Sequence, residues 1–422
     1  MRIEKSTARG SVMAPPSKSM AHRHLICAAL ASIESGEQSI VHNIDLSEDI
    51  KATLSCLKEL GAEFEISDGN VKICGMGGAV ASGDRFVFNC NESGSTLRFF
   101  IPIAYYFGLP SLFKGSPVLM TRPQDIYKKI AQEQKLTFLQ TEEGIVTAGR
   151  LQASNFKLPG NISSQFITGL LYVLPLLSGD SSIELTGGVE SKPYIDMTLQ
   201  VQALFGVQAS WINENTLKIK GGQHYKAYES TVEGDYSNAA FLEAFNFLNS
   251  EGESAPIENV CVNGLNPDSL QGDKIYREYF KALHSGFAKL DISDCPDLGP
   301  ILFVMAAANN GGEFTGTKRL AIKESNRGKV MCQELEKFGV KTQFEDNRII
   351  IFKSQLHTPS EKIEGHNDHR IVMSLVTLLT LTGGEITDTH AVNKSFPGYF
   401  KVISSLGIAL SGVASSELSS EK

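Results

Sequence analysis

The sequence has no CxxC pair. Its seven cysteines, Cys27, Cys56, Cys74, Cys90, Cys261, Cys295 and Cys332, stand singly, and an odd count at irregular spacing argues for reduced thiols rather than a disulfide framework. Metal-ligand spacing is missing as well: His366 and His369 lie three apart without a third ligand at zinc-site spacing, so no metal is expected. There is no excess of positive charge. A formal net charge of −8 sets aside nonspecific nucleic-acid binding, which needs a basic face. No apolar run approaches the ~20 residues that span a bilayer, and Met1 to Gly10 carries charges but no apolar stretch of the signal-peptide kind. A soluble, cytoplasmic protein with no membrane partner is predicted. A Walker sequence is absent, and Gly75-Met76-Gly77-Gly78 falls short of a dinucleotide fingerprint and reads as a turn.

What remains is an ordinary globular composition in a long chain. The 422 residues, 42% hydrophobic and 20% charged, exceed the size at which one core stops growing, which predicts two domains. The tail Val413 to Lys422 is rich in Ser and Glu and reads as a frayed terminus.

Self-similarity organises the rest. A small polar opening, an apolar helix, a glycine stop and a short strand recur at Ser17–Gly36, Ser93–Gly108, Ser163–Gly179, Ser237–Gly252, Asp297–Gly312 and Asp368–Gly383, with a period of about 70 residues. A second, amphipathic helix follows in each repeat. It usually ends in an apolar residue and glycine, as at Leu60-Gly61, Phe205-Gly206, Phe338-Gly339 and Leu406-Gly407, which suits a left-handed C-cap. The first helices, such as Phe166 to Leu177, are apolar nearly all round, the mark of burial inside a domain. The fourth repeat is short, because little separates Tyr276–Leu283 from Asp291, and one hairpin is missing there.

The helix openings point to anions. Unsatisfied N–H groups and the aligned peptide dipoles make a first turn electropositive. Ser or Asp there is commonly only an N-cap, but Lys18 and Arg23 in the first opening and Arg370 in the sixth place cations at that positive end. Such a placement costs ~0.3–1 kcal/mol and suggests a bound anion that offsets it. Arg122, Lys323, Arg327 and Lys394 lie in loops, where Arg forks suit phosphate and carboxylate. Asp297 and Glu324 stand within this basic company. They read either as salt-bridged groups or as the acid and base of a proton transfer.

These residues fall into an ordered set of motifs. Pro16-Ser17-Lys18-Ser19 with Arg23, Ser93-Gly94-Ser95-Thr96-Leu97-Arg98, Thr121-Arg122-Pro123, Ser163-Ser164-Gln165-Phe166 and Ser191-Lys192-Pro193-Tyr194 come first. Glu233-Gly234-Asp235, Pro296-Asp297, Ile322-Lys323-Glu324-Ser325-Asn326-Arg327, Asn367-Asp368-His369-Arg370 and Lys394-Ser395-Phe396-Pro397 follow. In this order, over its full length, the chain resembles the 5-enolpyruvylshikimate-3-phosphate synthase family of enolpyruvyl transferases.

The resemblance implies an α/β fold of two domains, each of three βαβαββ units with buried parallel helices. The lobes would be 17–234 and 1–16 plus 235–422, with the active site in the interdomain cleft. It implies transfer of the enolpyruvyl group of phosphoenolpyruvate to the 5-hydroxyl of shikimate 3-phosphate by addition and elimination, with no cofactor, in a monomer. By position, Lys18, Ser19, Arg23, Ser163, Ser164, Gln165, Ser191, Tyr194, Asp297 and Lys323 would hold shikimate 3-phosphate. Lys18, Gly94, Arg122, Gln165, Arg327, His369, Arg370 and Lys394 would hold phosphoenolpyruvate. Asp297 would handle the 5-hydroxyl proton, and Glu324 or Lys18 the proton at C3. Gly94 would leave room for the inhibitor glyphosate.

Departures stand beside the match. Glu92 occupies a position where many relatives have Asn, and Arg319 one where some have an Asn that touches substrate. Two rival readings are a sister transferase acting on UDP-N-acetylglucosamine and an anion-binding relative without catalysis. The first carries a reactive Cys before the Arg122 position and a Lys-Asn opening, whereas Lys114 to Arg122 has no Cys and the opening here is Lys18-Ser19. The second is disfavoured because Lys18, Asp297 and Glu324 are all present.

Overall fold

The computed structural model of the chain describes residues 1–35, 37–75, 85–248 and 259–412. Gly36, Met76-Gly77-Gly78, Gly252 and the tail Val413 to Lys422, all used in the sequence reading, lie outside the described residues. The chain divides into two compact units, Lys18–Glu233 and Met1–Ser17 with Gly234–Lys422.

In the unit Lys18–Glu233 one pattern is built three times. Phe86–Asn89 and Ser111–Lys114 pair in parallel across the helix Gly94–Phe107, and the hairpin Thr137–Thr141/Gly144–Ala148 extends that sheet antiparallel after the helix Asp125–Gln134. Asn155–Pro159, Ser181–Thr186, Ala209–Asn213 and Thr216–Ile219 repeat the arrangement around the helices Ser164–Val173 and Lys192–Leu204. The remaining sheet closes the unit on itself. Its first strand is Glu229–Thr231, from the end of the unit, which runs parallel to Gln38–His42, while Glu63–Ser67 and Asn70–Cys74 supply the hairpin.

The other unit uses the N-terminus in the same way. Arg2–Ile3 lies between Gly384–Glu385 and Leu410–Ser411, and Gly10–Met13 pairs in parallel with Val260–Asn263. A complete four-stranded sheet is formed by Ala288–Asp291, Gly312–Thr315, Arg348–Ile351 and Thr342–Glu345. The shortened fourth repeat has only the two strands Gly10–Met13 and Val260–Asn263 among the described residues. Its second helix, Tyr276–Ser285, runs almost directly into Ala288–Asp291 of the next sheet.

Burial follows the apolar pattern. Every residue from Leu97 to Tyr105 and from Gly299 to Ala307 is buried, as is every residue from Met20 to Ala31. Such helices hold their unit together from within, and truncating Leu302 or Phe303 to alanine would cost ~2–5 kcal/mol through lost transfer energy and the cavity left behind. The second helices are two-faced: in Glu48–Glu59, Ile50, Leu54 and Leu57 are buried while Lys51, Ser55 and Lys58 face solvent. Their ends take the expected caps, with Gly61, Gly206, Gly339 and Gly407 at φ 86°, 82°, 85° and 92°, a region that costs glycine nothing.

Candidate active site

The helix tips of the unit Lys18–Glu233 are polar by construction. Lys18 opens the helix Lys18–Ser35, and its Nζ lies 2.8 Å from Oδ2 of Asp49, on the facing helix Glu48–Glu59. Arg23 lies five residues further along the helix and is 3% exposed. Its guanidinium donates from Nε to Thr198 Oγ1 (2.9 Å), from Nη1 to the Ser19 carbonyl (2.6 Å) and from Nη2 to the Tyr194 carbonyl (2.8 Å). Ser19, Arg23 and Tyr194 are thereby brought together. Ser191 has a left-handed φ of 57° at the start of Lys192–Leu204, and Lys192 turns away to Asp196 and the Trp211 ring.

The second and third repeats are joined through one glutamine. Gln165 accepts at Oε1 from Arg98 Nη1 (2.7 Å) and donates from Nε2 to Ser95 Oγ (2.9 Å). Ser163 caps its helix by accepting from the Gln165 N–H, and Ser164 is buried in the first turn. Gly94 begins the helix capped by Ser93, whose Oγ accepts from the Thr96 N–H. Arg122 packs directly on Gly94 and is 8% exposed. Glu92 lines a shallow hollow together with Lys114 and Ser116.

In the other unit the groups form one ion cluster. Asp297, in the short 3-10 turn Pro296–Leu298, meets Arg327 Nη1 at 2.8 Å, Lys323 Nζ at 3.0 Å and Arg370 Nη2 at 3.2 Å. Arg327 is 1% exposed and also reaches Glu324 Oε2 at 2.6 Å and Asp368 Oδ2 at 2.8 Å. Asp368 caps the helix His369–Thr382, accepting from the Arg370 N–H. His369 is buried beside it. Lys394 donates to the carbonyl of Asn367, where His366 and Asn367 both adopt left-handed φ values of 50° and 49°. Arg319 donates to the Ser293 carbonyl.

Electrostatics follow from this packing. Burial pushes the Asp297 carboxyl up, but Arg370, Lys323 and Arg327 outweigh it and hold the group well below the usual carboxylate range. Burial lowers Lys323, partly countered by Asp297. For Arg327, burial opposes the charge while Asp368, Glu324 and Asp297 stabilise it, with a net upward shift.

Lys18, Arg327 and Arg370 therefore have carboxylate partners within the protein, while Arg23 is held by a hydroxyl and two carbonyls. Asp49 balances Lys18, while Asp297, Glu324 and Asp368 balance Arg327 and Arg370, where the sequence alone suggested a bound anion for that task. Two of the carboxylates, Asp49 and Asp273, are not singled out in the sequence, and Asp368 is marked there only as a helix opening. Asp49 reads there as an ordinary first-turn acid that complements the helix dipole. Asp273 is buried in the turn Gly272–Ile275, where burial and then the charge of Asp297 push its carboxyl up to about 6, against Arg370 and Ser237, with Asp235 adding to the rise.

The two histidines do not share a site. His366 Nε2 lies 3.0 Å from Glu334 Oε1, with Glu364 close by, and Lys337 Nζ approaches Glu334 Oε2 at 2.9 Å. His369 is not part of that cluster.

The fold is that of the enolpyruvyl transferases. The enolpyruvyl transferase NikO from Streptomyces tendae matches it with a TM-score of 0.75 at 13% identity, over 97% of each chain. An EPSP synthase from Acinetobacter baumannii does so with a TM-score of 0.75 at 22% identity, over 97% of this chain and 99% of that one. In sequence, the chain is 39% identical to a 3-phosphoshikimate 1-carboxyvinyltransferase from Clostridium beijerinckii, over 96% of this chain and 97% of the relative. It is 38% identical to one from Clostridium perfringens, over 97% and 99%. The chain belongs to the EPSP synthase (3-phosphoshikimate 1-carboxyvinyltransferase) family, whose pattern matches residues 3–403.

Proposed function

We propose that the chain carries out the reaction its family is named for, moving the enolpyruvyl group of phosphoenolpyruvate to the 5-hydroxyl of shikimate 3-phosphate and releasing phosphate. The single observation that carries the chemistry is the Asp297 carboxylate among Lys323, Arg327 and Arg370. In that setting it is a weak base. Substrate anions that draw those cations away from Asp297 raise its proton affinity when the 5-hydroxyl must lose its proton. The alkoxide attacks C2 as C3 takes a proton, and the tetrahedral intermediate then gives up a C3 proton and phosphate together, which restores the C2=C3 double bond.

Glu324, held by Arg327 at 2.6 Å, and Lys18, held by Asp49 at 2.8 Å, are the two groups for the C3 proton. From the unit Lys18–Glu233 we assign Lys18, Ser19, Arg23, Ser163, Ser164, Gln165, Ser191 and Tyr194 to shikimate 3-phosphate, and Lys18, Gly94, Arg122 and Gln165 to phosphoenolpyruvate. From the other unit we assign Asp297 and Lys323 to the former and Arg327, His369, Arg370 and Lys394 to the latter. The cations act by positioning and by neutralising developing charge.

No helix among the described residues is long and apolar enough to cross a membrane. We assign the chain to the cytoplasm as a monomer, for which sedimentation at the mass of one chain is the check. The test of function is phosphate release from phosphoenolpyruvate with two acceptors offered separately. Turnover with shikimate 3-phosphate alone is expected. Turnover only with UDP-N-acetylglucosamine, or with neither acceptor, overturns the reading.

A further inference from the structure

The helices Lys18–Ser35 and Glu48–Glu59 are joined by two polar rungs one turn apart. The outer rung is Lys18–Asp49. The inner rung is His22 Nδ1 to Thr53 Oγ1 at 2.8 Å, four residues along each helix. From Thr53 the contact continues to Thr96 Oγ1 at 2.8 Å and from there to Ser93 Oγ at 2.7 Å. Ser93 caps the helix that begins at Gly94. His22 is 1% exposed, and Thr53, Thr96 and Ser93 are 0% exposed, so water cannot replace a lost link and an unmet hydroxyl there carries its full desolvation cost.

We propose that His22 is a positioning residue, the head of a buried polar thread through Thr53 and Thr96 to Ser93 that keeps Lys18 in register with Gly94 for phosphoenolpyruvate. The inference rests on the proposed reaction, since phosphoenolpyruvate is the ligand both residues are assigned to. Thr96 Oγ1 donates to Ser93 Oγ and so has no proton left for Thr53, which makes Thr53 the donor to Thr96 and His22 Nδ1 the donor to Thr53; the imidazole tautomer is thereby tied to the hydroxyl protons of the thread. Burial, followed by the charges of Lys18 and Arg23, holds His22 well below its ordinary value, so the ring is neutral and Nδ1 has one definite role. Nε2 has no hydrogen-bond partner among the described residues, and the ring stands edge-on to Phe99. Nδ1 thus makes the ring's only hydrogen bond among the described residues.

Thr53→Val removes the hydroxyl at nearly constant shape, and Thr53→Ser retains it. The readout is KM and kcat for phosphoenolpyruvate in the wild type and both variants. We expect Thr53→Val to raise KM about tenfold, the equivalent of ~1.4 kcal/mol, with kcat changed less than KM, and Thr53→Ser to stay near the wild type. An unchanged KM in Thr53→Val, or an equal rise in both variants, overturns the proposal. Lack of turnover in the wild type refutes the reaction instead. The thread is then read from the 15N resonances of the His22 ring, which should show one tautomer in the wild type and Thr53→Ser and a mixture in Thr53→Val. Identical spectra in all three overturn it.

Discussion

A methyl group placed on Gly94 would lie 2.6 Å from Nη1 of Arg122 and 3.0 Å from its Cζ. The glycine at the first turn of a buried helix and the guanidinium thus occupy one packing position, and a side chain at 94 must push the cation aside. Gly94→Ala should raise KM for phosphoenolpyruvate. Misplacing one charge-assisted contact is worth ~1.5–3 kcal/mol, about 10–100-fold. Glyphosate should inhibit the wild type and should lose more potency in the variant than phosphoenolpyruvate loses affinity. Full wild-type activity at high glyphosate contradicts this.

Asp297→Asn preserves shape and removes the charge shared by Lys323, Arg327 and Arg370. Turnover should fall about 100–10,000-fold, the range for loss of a general base. Lys323 and Arg370 would also lose this carboxylate, while Arg327 keeps Glu324 and Asp368, and breaking up such an ion cluster destabilises the fold. Inorganic phosphate should therefore raise the melting temperature of the variant more than that of the wild type. Unaltered turnover removes Asp297 from proton transfer.

Asp273 makes stability fall as pH rises. Its carboxyl sits at about 6 in the folded chain because of burial and then the charge of Asp297, against ~3.9 when unfolded. The folded state therefore binds the proton more tightly, and the stability this contributes is present below ~3.9 and lost as pH climbs through about 6. Asp273→Asn does not titrate. Relative to the wild type, its melting temperature should rise across that window and hold its gain above it. Parallel melting curves from pH ~4 to ~8 contradict the sign.

Lys394 supplies its ammonium to the carbonyl of Asn367, in the turn immediately before the Asp368 cap. Lys394→Ala should raise KM for phosphoenolpyruvate about tenfold, roughly the worth of one charged hydrogen bond, with a smaller effect on kcat. An unchanged KM removes Lys394 from that ligand.

The sixfold repeat was legible because its signals are local. Ser93, Ser163 and Asp368 cap the helices whose openings they mark, and the glycines that end the second helices have the left-handed φ that their position predicts. At the fourth opening, the cap is Asp235 rather than Ser237. The fifth begins with a 3-10 turn around Asp297 before the helix Gly299–Ala308. In both places a proline or small residue allowed more than one starting register. The ion partners were not legible. Asp297 and Arg370, or Lys18 and Asp49, are brought together by tertiary packing across 73 and 31 residues, which no periodicity encodes. The link from Thr53 to Thr96 was hidden for the same reason: Thr96 stood in the motif at the second opening, but its partner Thr53 lies on another helix 43 residues away.

The most direct measurement is the 13C spectrum of a mixture of the purified chain, shikimate 3-phosphate and phosphoenolpyruvate labelled at C2. The account predicts loss of the phosphoenolpyruvate signal and growth of an enol-ether carbon attached through the 5-oxygen, in step with free phosphate. A labelled carbon that appears only as pyruvate, or that does not change while shikimate 3-phosphate is present, would contradict it.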